Sequence, residues 1–222
     1  MANSLRNQST EDYLKGVYQL RHRTGSPVST SDLAKHLKVG DGSVTDMVKR
    51  LSAKKLLHYV PYRGVTLTED GKKLAMKTIR RHRLWEMFLV HHLGYSWDEV
   101  HEEAERLEHV TSAELEKRLD RALGSPSSDP HGDPIPTSEG ELAEFHNQSV
   151  SECEEGKQYK IIRVSDASPE LLQYLHKHGL ALNKRIRIKQ LIAFDGSVVV
   201  EWNKKEILFS APMARGIFVE GV

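Results

Sequence analysis

Between positions 101 and 109 the chain gathers two histidines and four glutamates, in a stretch, VHEEAERLEHV (100–110), that otherwise reads as helix. On a helix turning roughly 100° per residue, His101, Glu105, Glu108 and His109 share one face, because they are spaced by three and four. Glu102 and Glu103 point away from it and read as solvated. Upstream, His82 and Glu86 repeat the i, i+4 relation within RRHRLWEMFL (80–89). Imidazole nitrogens with carboxylate oxygens and no thiolate suit a borderline-hard divalent cation such as Mn2+ or Fe2+, although affinity alone favours Zn2+ or Cu2+. A single pair of this kind is equally an ordinary solvated helix face. Two neighbouring helices carrying such pairs favour a cation site. Enzyme chemistries find less support. Neither helix has the Glu-x-x-His of di-iron bundles, since Leu89 and Glu108 stand three residues after Glu86 and Glu105. HEEAE is not the HExxH of a zinc protease, and there is no Walker loop, dinucleotide fingerprint or nucleophile elbow. The expectation is a protein that is not an enzyme.

The elements that must position these residues are bounded first by composition. With 222 residues, 38% hydrophobic, and a mean hydropathy of -0.52, the chain reads as water-soluble with more than one compact unit. No apolar run nears the roughly 20 residues that span a bilayer, and MANSLRNQSTEDYL lacks a signal-peptide pattern, so the expected location is the cytoplasm, with no membrane partner. Cys153 is the only cysteine, which excludes an intrachain disulfide and paired-thiolate metal sites. The net charge of +1 conceals an asymmetry. Residues 1–91 carry 17 Lys and Arg against 8 Asp and Glu, a net +9, whereas residues 92–222 carry 15 against 23, a net -8. The asymmetry suggests a polyanion partner for the first half, with a merely basic surface as the alternative.

Tyr13, Leu14, Val17 and Tyr18 predict a helix from about Thr10 to His22. SDLAKHL (31–37), the turn KVGDG and SVTDMVKRLSAKKLL (43–57), with Val44, Met47, Val48 and Leu51 as its apolar stripe, read as a helix-turn-helix. LLHYVPYRGVTLT (56–68) then reads as a hairpin wing. The stripe leaves Ser43, Thr45, Asp46, Lys49 and Arg50 on other faces. Ser43 and Thr45 are candidates for base edges in a major groove, and Lys49, Arg50, Lys54 and wing Arg63 for phosphates, against the alternative of a merely solvated charged face. A long helix follows from Thr68 to Gly94. Ser96 and Glu99 predict a capping box opening the helix that carries the 101–109 cluster, and TSAELEKRLDRALG (111–124) is a further helix. The surplus of apolar helix faces predicts a homodimer, suited to two-fold DNA sites. SPSSDPHGDPIP (125–136) reads as a connector. Four β-rich runs and the short helix SPELLQYLHKHG (168–179) predict a small barrel over about 155–222.

The residues STEDYLKGVYQL (9–20), the helix-turn-helix with its wing, HRLxExxL (82–89), VHxEAxxxEHV (100–110), GDPIP (132–136) and the terminal barrel together resemble the diphtheria toxin repressor family of metal-dependent repressors, over nearly the whole chain. The resemblance implies a mainly α fold with α+β parts: a winged helix-turn-helix (1–73), a helical metal-binding and dimerisation segment with a Pro-rich connector (74–145), and an SH3-like, FeoA-like barrel (146–222). It also implies a homodimer whose metal-bound form binds palindromic double-stranded DNA operators and represses metal-uptake genes, with no small organic ligand. A repressor answering such a ligand would instead bind its operator regardless of metal.

Position by position, the resemblance implies a primary site of Asp12, Glu105, Glu108 and His109, with a main-chain carbonyl near residue 105. It implies a second site of His82, Glu86 and His101, joined by Asp166 from the barrel. Asp12 is alternatively the acidic member of a capping box with Ser9, and Asp166 a cap of the 168–179 helix. Pro169 stands where some members add a polar ligand, and Lys15 where binuclear manganese regulators supply a second carboxylate. His91, His92 and His131 read as surface or packing histidines. Carboxylates at Asp12 and Glu105, where iron-responsive members carry Met and Cys, imply Mn(II) as corepressor, with Fe(II), Co(II) or Zn(II) as substitutes in vitro. An Fe(II)-responsive repressor is the alternative.

Overall fold

The computed structural model describes residues 2–143, 148–166 and 168–222, with side chains from residue 8 onward. It divides into two compact units, each assembled from separated stretches of chain.

The first unit takes the chain up to Trp85, with Ala104–Ser125 and Ile135–Leu142. Its leading helix, α1 (Ala2–Thr24), begins well before the expected Thr10. Asp12 is therefore a mid-helix residue, and the capping reading for it falls away. Tyr13, Leu14 and Val17 of α1 share one core with Leu33 and Ala34 of α2 (Thr30–Leu37) and with Val44, Met47, Val48 and Leu51 of α3 (Asp41–Ala53). Burial of these stripes fixes the helix-turn-helix, because each helix is too short to stand alone in water. Ser29 caps α2, its Oγ accepting from the Asp32 amide at 3.0 Å. β1 (Leu57–Val60) and β2 (Gly64–Leu67) pair antiparallel as the wing, Leu57 opposite Leu67. Gly64 is required there: its φ is +100°, and a Cβ would lie 2.8 Å from the Val28 carbonyl oxygen.

Thr68 starts α4 (Glu69–Leu93), accepting from the Gly71 amide at 3.0 Å, and Gly94 stops it at φ 74°. Only the part of α4 up to Trp85 belongs to this unit. Ser112 caps α6 (Ala113–Ala122) through the Leu115 amide. Arg80 pins the end of the connector, donating to the Pro136 carbonyl at 2.7 Å and pairing with Glu116 and Asp120.

The second unit comprises Glu86–Glu103, Pro126–Pro134 and Ala143–Val222. Ser96 and Glu99 do not form the expected helix cap. The Ser96 hydroxyl donates to the Glu99 carboxylate at 2.7 Å, and this closes a turn instead of satisfying a helix amide, so α5 (Val100–Glu108) begins only at Val100. The barrel region is a six-stranded antiparallel sheet in the order β3-β8-β4-β5-β6-β7, formed by Gln148–Ser149, Gln158–Val164, Arg185–Ile192, Ser197–Trp202, Lys205–Phe209 and Ile217–Gly221 in chain order β3 to β8. These strands and α7 (Pro169–Lys177) close on one core that includes Ile161, Leu175, Ile188, Val200 and Phe209. A short α8 (Ala211–Gly216) precedes the last strand. Bulges between Ile161 and Arg163 and between Ile188 and Gln190 let the sheet bend. Strand β7 had no expectation from sequence. Asn203 and Lys204, both at positive φ, make the tight turn that folds it back on β6.

The connector is not a free linker. Asp129 Oδ1 accepts from the His131 amide at 2.8 Å and the Asp133 amide at 2.9 Å, coiling the loop upon itself. The Val164 amide of β4 then donates to the His131 carbonyl at 2.8 Å. Gly132, at φ +89°, passes so near β4 that a Cβ would sit 2.2 Å from the Ile162 carbonyl oxygen.

Candidate metal centre

In the first unit, one helical turn of α1 faces the end of α5. Asp12, Glu105, Glu108 and His109 each present a ligand atom, all within 4.8 Å of one another. His109 Nε2 lies 2.8 Å from Asp12 Oδ1 and 3.4 Å from Glu108 Oε1, while its Nδ1 is 2.7 Å from Glu11 Oε2. Glu11 was not foreseen. Orienting an imidazole through its second nitrogen is what a carboxylate does beside a metal-ligating histidine. Burial acts to lower the His109 pKa, but the hydrogen bonds the imidazole donates to Asp12 and Glu11 and the charge of Glu108 outweigh it and hold it up to about 10. A cation taking Nε2 therefore competes with a proton.

Lys15, one turn beyond Asp12, enters the same cluster. Its ammonium donates to Glu105 Oε1 at 2.7 Å and to Glu108 Oε2 and Oε1 at 2.7 and 3.0 Å, and His82 Nδ1 is 3.3 Å away. Burial works to depress the Lys15 pKa, yet the charges of Glu108 and Glu105 outweigh it and raise it, so the ammonium stays charged. His82, expected in the second site, turns Nδ1 to Glu108 Oε2 at 2.6 Å.

The second unit holds another group of donors. Glu86, Asp129 and His131 present ligand atoms within 4.8 Å of one another, and all three are buried. His131, read from sequence as a surface or packing histidine, is fully buried at 0% exposure. Its Nε2 donates to the Trp97 carbonyl at 2.7 Å, which leaves Nδ1 aimed at Glu86 Oε2 (3.8 Å) and Asp129 Oδ1 (4.0 Å) with no hydrogen-bond partner among the described residues. A buried, orphaned imidazole nitrogen between two carboxylates fits a divalent cation, because polar atoms cut off from water need a partner. Burial lowers the His131 pKa, but the Glu86 and Asp129 charges outweigh it and raise it, with a smaller contribution from Asp166. His101 Nδ1 is 3.4 Å from Glu86 Oε1. Asp166 is half-buried near His131 and does not cap α7: Ser168 does, through the Leu171 amide. The signal for Asp129 and His131 is the compact DPHGD run, whose setting among the prolines of residues 125–136 suggests a linker.

On the winged helix, Ser43, Asp46, Lys49 and Arg50 are exposed on α3, and Arg63 is exposed at the tip of the wing. Thr45 is half-buried and spends its hydroxyl on the Asp41 carbonyl at 3.0 Å.

A winged helix whose first helix shares a carboxylate–imidazole cation cluster with a second helical segment is the make-up of a metal-sensing regulator. Residues 7–65 match the description iron dependent repressor, N-terminal DNA binding domain; residues 68–137 match iron dependent repressor, metal binding and dimerisation domain; residues 148–221 match the FeoA domain. The iron-dependent repressor IdeR of Mycobacterium tuberculosis is 39% identical over 128 residues, 58% of this chain. The chain spans about half, 55%, of that relative's length. The diphtheria toxin repressor of Corynebacterium glutamicum is 29% identical with 96% of each chain covered. A solved manganese-dependent transcriptional repressor in complex with manganese is 36% identical, with a TM-score of 0.89, covering 96% of this chain and all of that one. ScaR with bound Cd2+ is 39% identical, with a TM-score of 0.84, covering 96% of this chain and 99% of that one. The chain belongs to the diphtheria toxin repressor family of metal-dependent repressors. Among the described residues no helix is long and apolar enough to cross a membrane.

Proposed function

We propose that the protein is a cytoplasmic, dimeric repressor that binds palindromic DNA operators when Mn(II) occupies its metal sites, and so controls metal-uptake genes. The observation that carries this reading is the Asp12, Glu105, Glu108 and His109 cluster, because it joins the helix leading into the winged helix-turn-helix to a separate helical segment. Asp12 holds the DNA-reading side in register with α5, and His109, oriented by Glu11, supplies the nitrogen donor. A bound cation would draw three carboxylates and one imidazole to a single point, fixing the pitch of α3 relative to the dimer core. Residues 1–73 serve DNA binding, 74–145 metal binding and dimerisation, and 146–222 the barrel. Exposed Val110 and Leu115 offer apolar surface for the second copy.

Ser43 and Thr45 are assigned to base edges, with Asp46 beside them, and Lys49, Arg50 and Arg63 to phosphates. The second metal site is assigned to His82, Glu86 and His101 with Asp166 from the barrel, and the buried Glu86, Asp129 and His131 group offers a further set of donors that shares Glu86. His82 also sets its Nδ1 against Glu108.

Oxygen donors at Asp12 and Glu105 favour Mn(II), a hard cation, and no sulfur stands in the cluster. Fe(II), Co(II) and Zn(II) would occupy the site in vitro, where the Irving–Williams order rather than availability decides. The specific observation for an Fe(II) response is the 39% identity to a relative named iron-dependent. The test is selection of duplexes from a random-sequence library, followed by anisotropy titrations in excess EDTA and in excess Mn2+, Fe2+, Co2+ and Zn2+. Equal DNA affinity with EDTA and with every metal would sink the proposal.

A further inference from the structure

Lys15 is 4% exposed, and its ammonium sits among carboxylates that the proposed function gives to a metal. A buried ammonium costs several kcal/mol to desolvate unless paired, so its place in the middle of a cation site has a strong effect on what that site can hold. Three carboxylates, Asp12, Glu105 and Glu108, face the cluster. Glu11 lies behind His109 and has its own cation, Arg81, at 3.9 Å. With the imidazole of His109 neutral as a donor, the three carboxylates and Lys15 leave a net charge of -2, the complement of one divalent ion. Without Lys15 the same donors carry -3.

We infer that Lys15 is a tethered internal cation with two duties: it sets the charge of the primary site to suit a divalent ion, and it holds α1 against α5 when no metal is bound. This rests on the metal reading of Asp12, Glu105, Glu108 and His109. Both duties follow from one geometry. The ammonium bridges Glu105 and Glu108 across 90 and 93 residues of sequence, so the metal-free protein keeps the junction that its carboxylates alone would push apart. Because Glu108 engages Lys15 through both oxygens, Oε2 can stay on Lys15 and His82 while Oε1 turns to a cation beside His109.

The experiment uses the full chain and the variants Lys15→Met and Lys15→Arg, with Mn2+ followed by electron paramagnetic resonance and Tb3+ by its luminescence. Lys15→Met should raise Mn2+ affinity by about tenfold or more and Tb3+ affinity by a larger factor, because Coulomb attraction scales with the charge of the ion. In EDTA the Met variant should melt below the parent, and Mn2+ should close most of that gap. Lys15→Arg, which keeps the charge, should keep the parent's order of Mn2+ over Tb3+. A Met variant that is unfolded in EDTA but folds with either ion supports the proposal; one that stays unfolded at saturating Mn2+ and Tb3+ overturns it. So does a Met variant with the parent's melting in EDTA, or with the parent's ratio of Tb3+ to Mn2+ affinity. Failure of the metal reading shows separately: His109→Ala would then bind Mn2+ as tightly as the parent, while the comparison of melting in EDTA would still report on the junction.

Discussion

Glu108→Gln keeps the shape of a fully buried side chain and removes its charge, which makes it a sharp probe of the first unit. Glu108 accepts two bonds from Lys15, at 2.7 and 3.0 Å, and meets His82 Nδ1 at 2.6 Å. Breaking a buried pair by removing one partner ordinarily costs about 3–5 kcal/mol, because the surviving charge is stranded. Lys15 is not wholly stranded here, since Glu105 remains at 2.7 Å, but that side chain is 39% exposed and its attraction is partly screened by water. The lower end, about 3 kcal/mol, is therefore expected. For a chain of this size that lowers the melting temperature by about 6–12 °C. The assay is calorimetry in EDTA, with Glu114→Gln as the reference. Glu114 pairs with Arg118 at 2.7 Å, but the side chains are 68% and 74% exposed, so its loss should be barely measurable. Should Glu108→Gln melt within a degree or so of the parent in EDTA, Lys15 is not held in the buried bridge described above.

Three other outcomes are expected. His131→Ala should lower Mn2+ stoichiometry by one ion per chain and leave the site at His109 occupied; undiminished stoichiometry would assign that buried nitrogen to packing alone. Lys49→Ala or Arg63→Ala should weaken binding to all DNA sequences and reduce the log–log salt slope by about 0.9 per lost phosphate contact, whereas Ser43→Ala should change the preferred sequence. A Ser43→Ala protein that loses affinity uniformly would remove that residue from base reading. Finally, Asp12→Met with Glu105→Cys should shift the activation of DNA binding toward Fe2+ and Co2+, since sulfur donors favour softer cations. An undiminished Mn2+ response in that double variant would show that metal preference is set elsewhere.

The sequence by itself determined most of the helices, the wing and most of the primary cluster, though not strand β7 or the starts of α1 and α5. Helical periodicity reports which side of a helix is buried, and so the stripes of α1 to α3, the wing, and the shared face of Glu105, Glu108 and His109 were legible as local patterns. Asp12 was reached through the resemblance, because nothing local ties it to His109 across 97 positions. Tertiary structure decided what depends on pairs distant in sequence. The resemblance put Lys15 at a metal-site position, but its bridge to Glu105 and Glu108 is made only by the fold. His82, matched to Glu86 by helical spacing, also sets its Nδ1 against Glu108, 26 residues away, a contact that spacing along one helix does not report. The connector, read as a linker from its prolines and glycine, packs on β4 because Asp129 satisfies its amides and Gly132 admits close approach of the strand. That packing buries His131 beside Glu86, 45 residues back along the chain, a proximity that only the folded chain creates.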